Sequence, residues 1–69
     1  MIMYKQIKIR GELANHCIFR ITDNATIPFD PANTDYANFK KEILADEAQL
    51  QDAEGVIMAD AKAYVASLP

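Results

Sequence analysis

Alternation of apolar and polar residues near the start of the chain predicts a β-strand from Met3 to Arg10. Met3, Ile7 and Ile9 fall on one side of such a strand, and Tyr4 falls on the other together with polar residues. A period of two residues is typical of a strand with one buried face. The pattern therefore predicts that Tyr4 points away from the core.

A second alternating run follows after a short link that contains Gly11. Cys17, Phe19 and Ile21 share one side of this run, whereas Arg20 lies on the other. Gly11 allows the positive φ that tight hairpin turns require, because it has no Cβ. Two neighbouring runs with such a link predict an antiparallel hairpin whose apolar sides face the same core.

Ile18 lies on the polar side of this second strand and needs a cover. Either a helix crosses it or it belongs to a contact surface. A third, short strand is predicted from Ala25 to Ile27, after the turn-forming Asp23. Because Pro28 cannot donate a hydrogen bond to a neighbouring strand, we expect this strand at the edge of the sheet.

Two helix-start signals precede the clearest helical pattern in the chain. In the first, Asp30 precedes Pro31, which fixes φ at the first position of a helix. In the second, Thr34 precedes Asp35, whose charge suits the positive end of the helix dipole. The main helix is predicted from Thr34 to Asp46. Its apolar stripe, typical of a helix that packs on a sheet, consists of Tyr36, Phe39, Ile43 and Leu44.

The stretch 45–58 fits two different structures. In one, the main helix continues through Leu50 and Gly55 ends it. In the other, Asp52 to Gly55 form a turn with a left-handed Gly55, between short strands over 49–51 and 56–58. The β-branched residues Val56 and Ile57 suit a strand better than a helix end. We therefore expect the second hairpin.

The last stretch of the chain predicts a short helix over 59–68. Asp60 is placed as its N-cap, and Tyr64, Val65 and Leu68 recur at helical spacing. All the elements together predict a single α+β domain over residues 1–69. Its expected architecture is a small antiparallel three-stranded sheet packed by one main helix, then a short hairpin and a C-terminal helix.

Length and cysteine content limit what can stabilise such a domain. The chain has 69 residues, of which 51% are hydrophobic and 25% charged, as in ordinary globular domains. A chain of this size buries only about 60% of its unfolded surface, and the single Cys17 excludes an intrachain disulfide. A partner subunit is the remaining support, so we expect a homo-oligomer, most simply a two-fold dimer.

Charge and hydropathy exclude two kinds of partner. The net charge of −3 disfavours nucleic acid, because binding to phosphates depends on an excess of Lys and Arg. Apolar runs are far shorter than the ~20 residues of a membrane span, so no membrane partner is expected. The first residues lack the continuous apolar segment of a signal peptide, which predicts a cytoplasmic protein.

Few residues offer catalytic or metal-binding chemistry. His16 and Cys17 are adjacent, so on a strand they point to opposite faces and cannot act as base and nucleophile. A zinc site needs about four such ligands. Asp52, Glu54 and Gly55 lack the later Glu of a calcium loop and are interpreted as turn residues. We expect no enzyme, and no catalytic, cofactor or metal site.

Three residues are the candidates for a protein interface: Tyr4, Ile18 and Tyr64. Tyrosine is enriched at interfaces because it combines an apolar ring with a polar hydroxyl. Tyr4 and Ile18 both fall on the sides of their strands that face away from the predicted core. They suggest a surface that binds a protein partner or a second copy of the chain.

The segment from Phe19 to Tyr36 is a strand that runs into an IP-x-DPAN-x-DY element, and an LQDA-x-G-x-x-M stretch runs from Leu50 to Met58. Both resemble stretches of small bacteriophage proteins, including tail-associated and cyanophage-like ones. The resemblance implies a phage accessory or virion-associated protein that acts by protein–protein contact, located in the host cytoplasm or the virion. The alternative is a phage-encoded protein that binds and modulates a host enzyme or regulator.

Overall fold

The computed structural model describes residues 2–68. Their elements, in chain order, are β1 (Ile2–Lys5), β2 (Lys8–Ile9), β3 (Glu12–Leu13), β4 (Cys17–Arg20), a 3₁₀ turn (Ile21–Asp23), β5 (Ala25–Pro28), α1 (Thr34–Leu44), β6 (Ala48–Gln51) and α2 (Ala61–Ala66). The predicted α+β class is confirmed. The sheet differs in detail from the prediction.

The main sheet has four strands in the order β5-β4-β1-β6. Strands β1, β4 and β5 pair antiparallel in succession, as the predicted three strands require. Strand β6 then pairs parallel with the free side of β1, with Tyr4 opposite Leu50. The predicted three-stranded antiparallel sheet is therefore wrong, because α1 carries the chain across the sheet and adds a fourth, parallel strand. A parallel neighbour needs such a crossover.

The first predicted strand is split in two. β1 ends at Lys5, and β2 pairs with β3 in a separate two-stranded sheet. Its turn consists of Arg10 and Gly11, with φ values of 53° and 80°. Positive φ at both turn residues is the geometry that matches the twist of a two-residue hairpin, so Gly11 acts as predicted. The chain leaves the main sheet at Gln6, and the alternation does not continue across that point.

The N-cap of helix α1 lies one residue before the predicted cap, Thr34. The side chain of Asn33 accepts a hydrogen bond from the backbone N–H of Tyr36 at 3.1 Å, so Asn33 is the N-cap rather than Thr34. Asp30 does not cap α1; its carboxylate accepts from the N–H of Ala32 at 3.0 Å within the preceding turn. The wrong assignment arose because Asn, Asp and Thr are all good N-caps.

Helix α1 ends at Leu44 and does not continue into the following stretch. Asp46 has φ of 59°, and the N–H of Glu47 donates to the carbonyl of Glu42 at 2.8 Å. This left-handed residue with a bond back across the last turn is a common helix stop, although Gly is its usual occupant. The helix is thus two residues shorter than predicted, and the long-helix alternative for 45–58 is wrong.

The second predicted hairpin forms only in part. Gly55 has φ of 86°, and its N–H donates to the carbonyl of Asp52 at 3.0 Å, which confirms the predicted turn. The first arm is β6. The second arm makes a single bridge, from Ile57 to Gln51, before the chain departs toward α2.

Helix α2 is shorter than the predicted 59–68 and packs on α1. Asp60 occupies the N-cap position, but its side chain makes no capping hydrogen bond. An ion pair of 2.7 Å between Lys62 and Asp46 connects the start of α2 to the end of α1. Neither helix of residues 2–68 has the length and apolar character needed to cross a membrane.

One hydrophobic core lies between the two helices and one face of the sheet. Phe39 is fully buried at its centre, with its ring 4.7 Å from that of Tyr4 in an edge-on arrangement. Leu44, expected in the buried stripe of α1, is 50% exposed. The residues of the core are Tyr4, Ile18, Ile27, Tyr36, Phe39, Ile43, Ala48, Leu50 and Val65.

We expect Phe39→Ala to lower the free energy of unfolding by about 3 to 5 kcal/mol, because a fully buried aromatic ring is replaced by a cavity. Leu44→Ala, on the same helix but half-exposed, is the matched control and should cost less than about 1 kcal/mol. Urea unfolding followed by circular dichroism measures both. Equal losses for the two variants would contradict the assignment of Phe39 to the centre of the core.

Candidate protein-binding surface

The predicted interface residues do not lie on a common surface. Tyr4 and Ile18 are both 0% exposed, and both point into the core under α1. The expected outward orientation of Tyr4 is wrong, and Ile18 is covered in the way that the helix alternative foresaw. Tyr64, on α2, is half-buried at the border of the core and keeps contact with solvent.

The buried faces of β1 and β4 are the reverse of those predicted, and this difference has one physical cause. The alternation was counted from Ile7 and Ile9, but these residues follow the end of β1 and belong to the small hairpin. Within β1 itself, the bulkiest side chain is Tyr4, and it turns toward α1. Since Tyr4 lies opposite Arg20 in the sheet, the faces of β4 are inverted as well. Phe19 therefore points away from α1.

Tyr4 is held by electrostatics as well as by packing. Its hydroxyl donates a hydrogen bond of 2.6 Å to the carboxylate of Glu42 on α1. Burial raises the pKa of Tyr4 to about 12, and the hydrogen bond and charge of Glu42 add to this shift. The neutral phenol is thereby favoured in the folded chain, and β1 is fastened to α1.

Arg20 lies on the same side of the sheet as Tyr4 and connects the 3₁₀ turn to the first turn of α1. Its guanidinium makes two hydrogen bonds of 2.8 Å to the carboxylate of Asp23 and one of 3.3 Å to Asp35. The paired guanidinium lowers the pKa of the Asp23 carboxyl. These charges hold the 3₁₀ turn against the first turn of α1, which is a structural use of their chemistry.

The other side of the main sheet is not covered by either helix, and we call it the open face. Alternation along the strands places there Met3 and Lys5 of β1, Cys17 and Phe19 of β4, Thr26 and Pro28 of β5, and Gln49 and Gln51 of β6. Of these, Cys17 is buried. Met3, Lys5, Phe19 and Gln51 are half-buried, and Thr26 and Gln49 are exposed. The open face thus combines apolar and uncharged polar side chains around a single lysine.

A groove of about 430 Å³ runs along one end of the open face. Ile7 and Lys8, where the chain enters the small hairpin, form part of its wall. An ion pair between Lys8 and Glu54 joins that wall to the Asp52–Gly55 turn. The residues that line the groove are Lys5, Gln6, Ile7, Lys8, Phe19, Thr26 and Ala53.

Both edges of the main sheet are blunted. At the β5 edge, Pro28 has no N–H, and its carbonyl already accepts from the N–H of Asp30 at 2.9 Å. At the β6 edge, the carbonyl of Leu50 accepts from Met58, and the N–H of Asp52 donates to Val56, both at 2.8 Å. Protected edges disfavour pairing with a further strand. The open face is therefore better suited than the edges to bind another molecule.

A second cleft of about 550 Å³ lies between β6 and the start of α2. The core residues Ile43 and Leu50 contribute to its lining, together with the half-exposed Ile57. Asp46 and Lys62 also line this cleft, but they are already paired with each other. The remaining charged residue of the lining, Asp60, is acidic, in contrast to Lys5 in the groove.

His16 and Cys17, the residues considered for catalytic and metal chemistry, differ in burial. Cys17 is buried in β4, whereas His16 is exposed just before it. The carboxylate of Asp52 accepts from the N–H groups of Glu54 and Val56 at 2.9 and 3.1 Å, which confirms its role in the turn. Within residues 2–68, no three His, Cys, Asp or Glu side chains are grouped so that they could hold a metal ion.

The open face could not be identified from the sequence, because recognising it requires the pairing of the strands. Phe19 alternates with the polar residues Lys5 and Thr26 across neighbouring strands, and these partners fit an exposed face. Once the register of the strands is known, Phe19 is seen to lie among polar residues.

Compared with known protein families, curated proteins and solved structures, the chain matches none of them.

The raised pKa of Tyr4 predicts a loss of stability at high pH. An unfolded tyrosine ionises near pH 10, so the neutral buried phenol stabilises the fold below pH 10, and this contribution is lost as the pH rises from 10 through 12. Between pH 8 and pH 11, the parent should lose about 1 kcal/mol more of its unfolding free energy than Tyr4→Phe does.

Urea unfolding at the two pH values measures this difference, and the other titrating groups cancel because parent and variant share them. Tyr64→Phe is the control, since its ring lies at the border of the core, and it should follow the parent. A Tyr4→Phe variant that loses as much stability as the parent would show that the Tyr4 hydroxyl is not held as a neutral donor.

Proposed function

We propose that this chain is a small phage accessory or virion-associated protein that acts through protein–protein contacts and catalyses no reaction. The observation that carries the proposal is the one-sided cover of the main sheet. Both helices pack on the face that contains Tyr4 and Leu50, and the open face keeps Phe19 and Met3 only half-buried. A half-exposed apolar face among uncharged polar residues has the composition of a protein interface.

The protected sheet edges favour contact through side chains over the addition of a strand. A protein that binds by strand addition presents unpaired backbone groups along an edge. Here, Pro28 and the 56–58 segment occupy those positions. We therefore assign the contact to side chains on the open face.

The phage assignment rests on the resemblance of the Ile27–Tyr36 element to stretches of small phage proteins. The structure gives that element a local role: Asn33 caps α1, and Tyr36 is buried below the half-buried ring of Phe29 at 5.0 Å. It begins the main helix and offers no reactive group. A protein of this kind is located in the virion or in the host cytoplasm.

Self-association belongs to the same proposal. The small hairpin exposes Ile9 and Leu13 by 46% and 50%, and the loop after β6 exposes Val56 and Ile57 by 60% and 48%. So much exposed aliphatic surface on a chain of 69 residues is suited to burial against a second copy. We propose a homo-oligomer, with a two-fold dimer as its simplest form.

We expect the protein in purified phage particles at a fixed copy number relative to the major structural proteins, because an assembled component is present in every particle. Quantitative mass spectrometry of density-purified particles measures that ratio. A non-structural protein of the same phage, abundant in the infected cell, is the control for contamination. Absence from particles, combined with capture of one host enzyme or regulator that depends on Phe19, would favour the host-directed alternative.

We expect light scattering at tens of micromolar to give a particle larger than the 7.7 kDa of one chain. Leu13→Glu should shift the distribution toward 7.7 kDa, because a charge would be buried at the contact. Leu44→Glu changes a leucine of the same exposure on α1 and is the matched control. A parent that remains at 7.7 kDa would remove self-association from the proposal.

A further inference from the structure

The area of the open face limits the size of the molecule that can bind there. The open face spans four strands at about 4.8 Å spacing and four residues at about 3.3 Å each, which gives roughly 250 Å². A standard contact between two folded proteins buries about 800 Å² on each side. The open face alone is too small for such a contact. Its dimensions suit a short extended segment of a partner protein.

The floor of the groove offers one apolar contact. Phe19 is half-buried, so one part of its ring is available, and Ile7 also lines the groove. Thr26, which pairs with Phe19, and the buried Gln6 add uncharged polar groups to the lining. An aromatic or large aliphatic side chain of a bound segment can therefore lie against Phe19, flanked by Ile7.

The charge of the groove differs from that of the whole chain. Its lining contains two lysines and no acidic residue, although the chain as a whole has a net charge of −3. Lys8 is paired with Glu54. Lys5 takes part in none of the ion pairs or side-chain hydrogen bonds of residues 2–68, and Asp52 nearby is occupied by backbone amides. Lys5 is thus the cation available to a ligand.

We propose that this groove binds an extended acidic segment of a partner protein, with an apolar side chain against Phe19 and a carboxylate at Lys5. The inference rests on the proposed function, because it names the chemistry of the partner at the open face. It commits to a short segment because the open face covers only roughly 250 Å², and to an acidic one because its unpaired charge is positive.

A single-stranded nucleic acid fits the observations less well. Such ligands need several cations along the phosphate backbone and several aromatic rings for their bases. The open face provides one unpaired cation, Lys5, and one ring, Phe19.

The test uses the full chain, immobilised, to select from a display library of random 12-residue peptides. We expect the enriched peptides to carry Asp or Glu within a few positions of an aromatic or large aliphatic residue. In a ¹⁵N NMR titration with one enriched peptide, amide shifts should be largest at Lys5, Phe19 and Thr26 and small on α1 and α2.

Charge reversal separates a specific groove from general attraction. Lys5→Glu should weaken the selected acidic peptide by about tenfold and should change the library enrichment from acidic to basic peptides. Lys41→Glu makes the same change of net charge at an exposed site on α1 and should leave affinity within about twofold. Phe19→Ser should abolish binding. The dispersion of the NMR spectrum shows whether the Phe19→Ser variant folds. If it does not fold, the effect of Lys5→Glu on peptide affinity tests the inference.

Three results would overturn the inference: no enriched peptide, equal weakening by Lys5→Glu and Lys41→Glu, or shifts confined to the cleft beside α2. Tighter binding of a 12-nucleotide oligothymidine than of the selected peptide would overturn it in favour of nucleic acid. The particle measurement is independent of these results. If the protein is present in particles while the library yields nothing, only the partner chemistry fails.

Discussion

The contact between Tyr4 and helix α1 is the interaction on which the rest of the structure depends. Tyr4 is on the central strand β1, which pairs with both β4 and β6. Its ring meets Phe39 at 4.7 Å, and its hydroxyl donates to Glu42 at 2.6 Å. One side chain thus provides apolar burial and a charge-assisted hydrogen bond to the same helix. That combination determines which face of the sheet is covered.

Once α1 lies over Tyr4, the chain order accounts for the remaining architecture. The crossover delivers β6 to the free side of β1, and α2 then packs against α1 on the same face. No chain remains among residues 2–68 to cover the opposite face with a helix. Phe19 and Met3 stay half-buried there as a consequence of topology. The surface that we assign to binding is therefore a product of how the core is formed.

The small hairpin and the Asp52–Gly55 turn convert this open face into a groove. The hairpin begins where β1 ends, so Ile7 and Lys8 stand beside the sheet. The ion pair from Lys8 to Glu54 connects the hairpin to the turn, although both partners are substantially exposed, and such pairs contribute little stability. The effect of this ion pair is on the shape of the groove, because it joins the hairpin to the turn at one end of the open face. Lys5 remains unpaired between them.

The sequence by itself determined the local elements: the turn at Gly11, the edge position marked by Pro28, the start of α1 near Thr34, and the left-handed turn at Gly55. These features depend on the backbone preferences of a few adjacent residues, so they can be recognised without tertiary contacts. The exact cap of α1 was missed because Asn33 and Thr34 are comparable cap residues. The stop at Asp46 carried no glycine to mark it.

Only the tertiary structure decided which side of the sheet is buried, and with it the identity of the candidate site. A period of two defines two faces but does not say which one a helix will cover. Tyr4 and Phe19 are both large aromatic residues on opposite faces, and either could have been the core. The buried Tyr4 packs on Phe39, and its hydroxyl donates to Glu42, 38 positions away; partners at that distance have no signature in a local pattern.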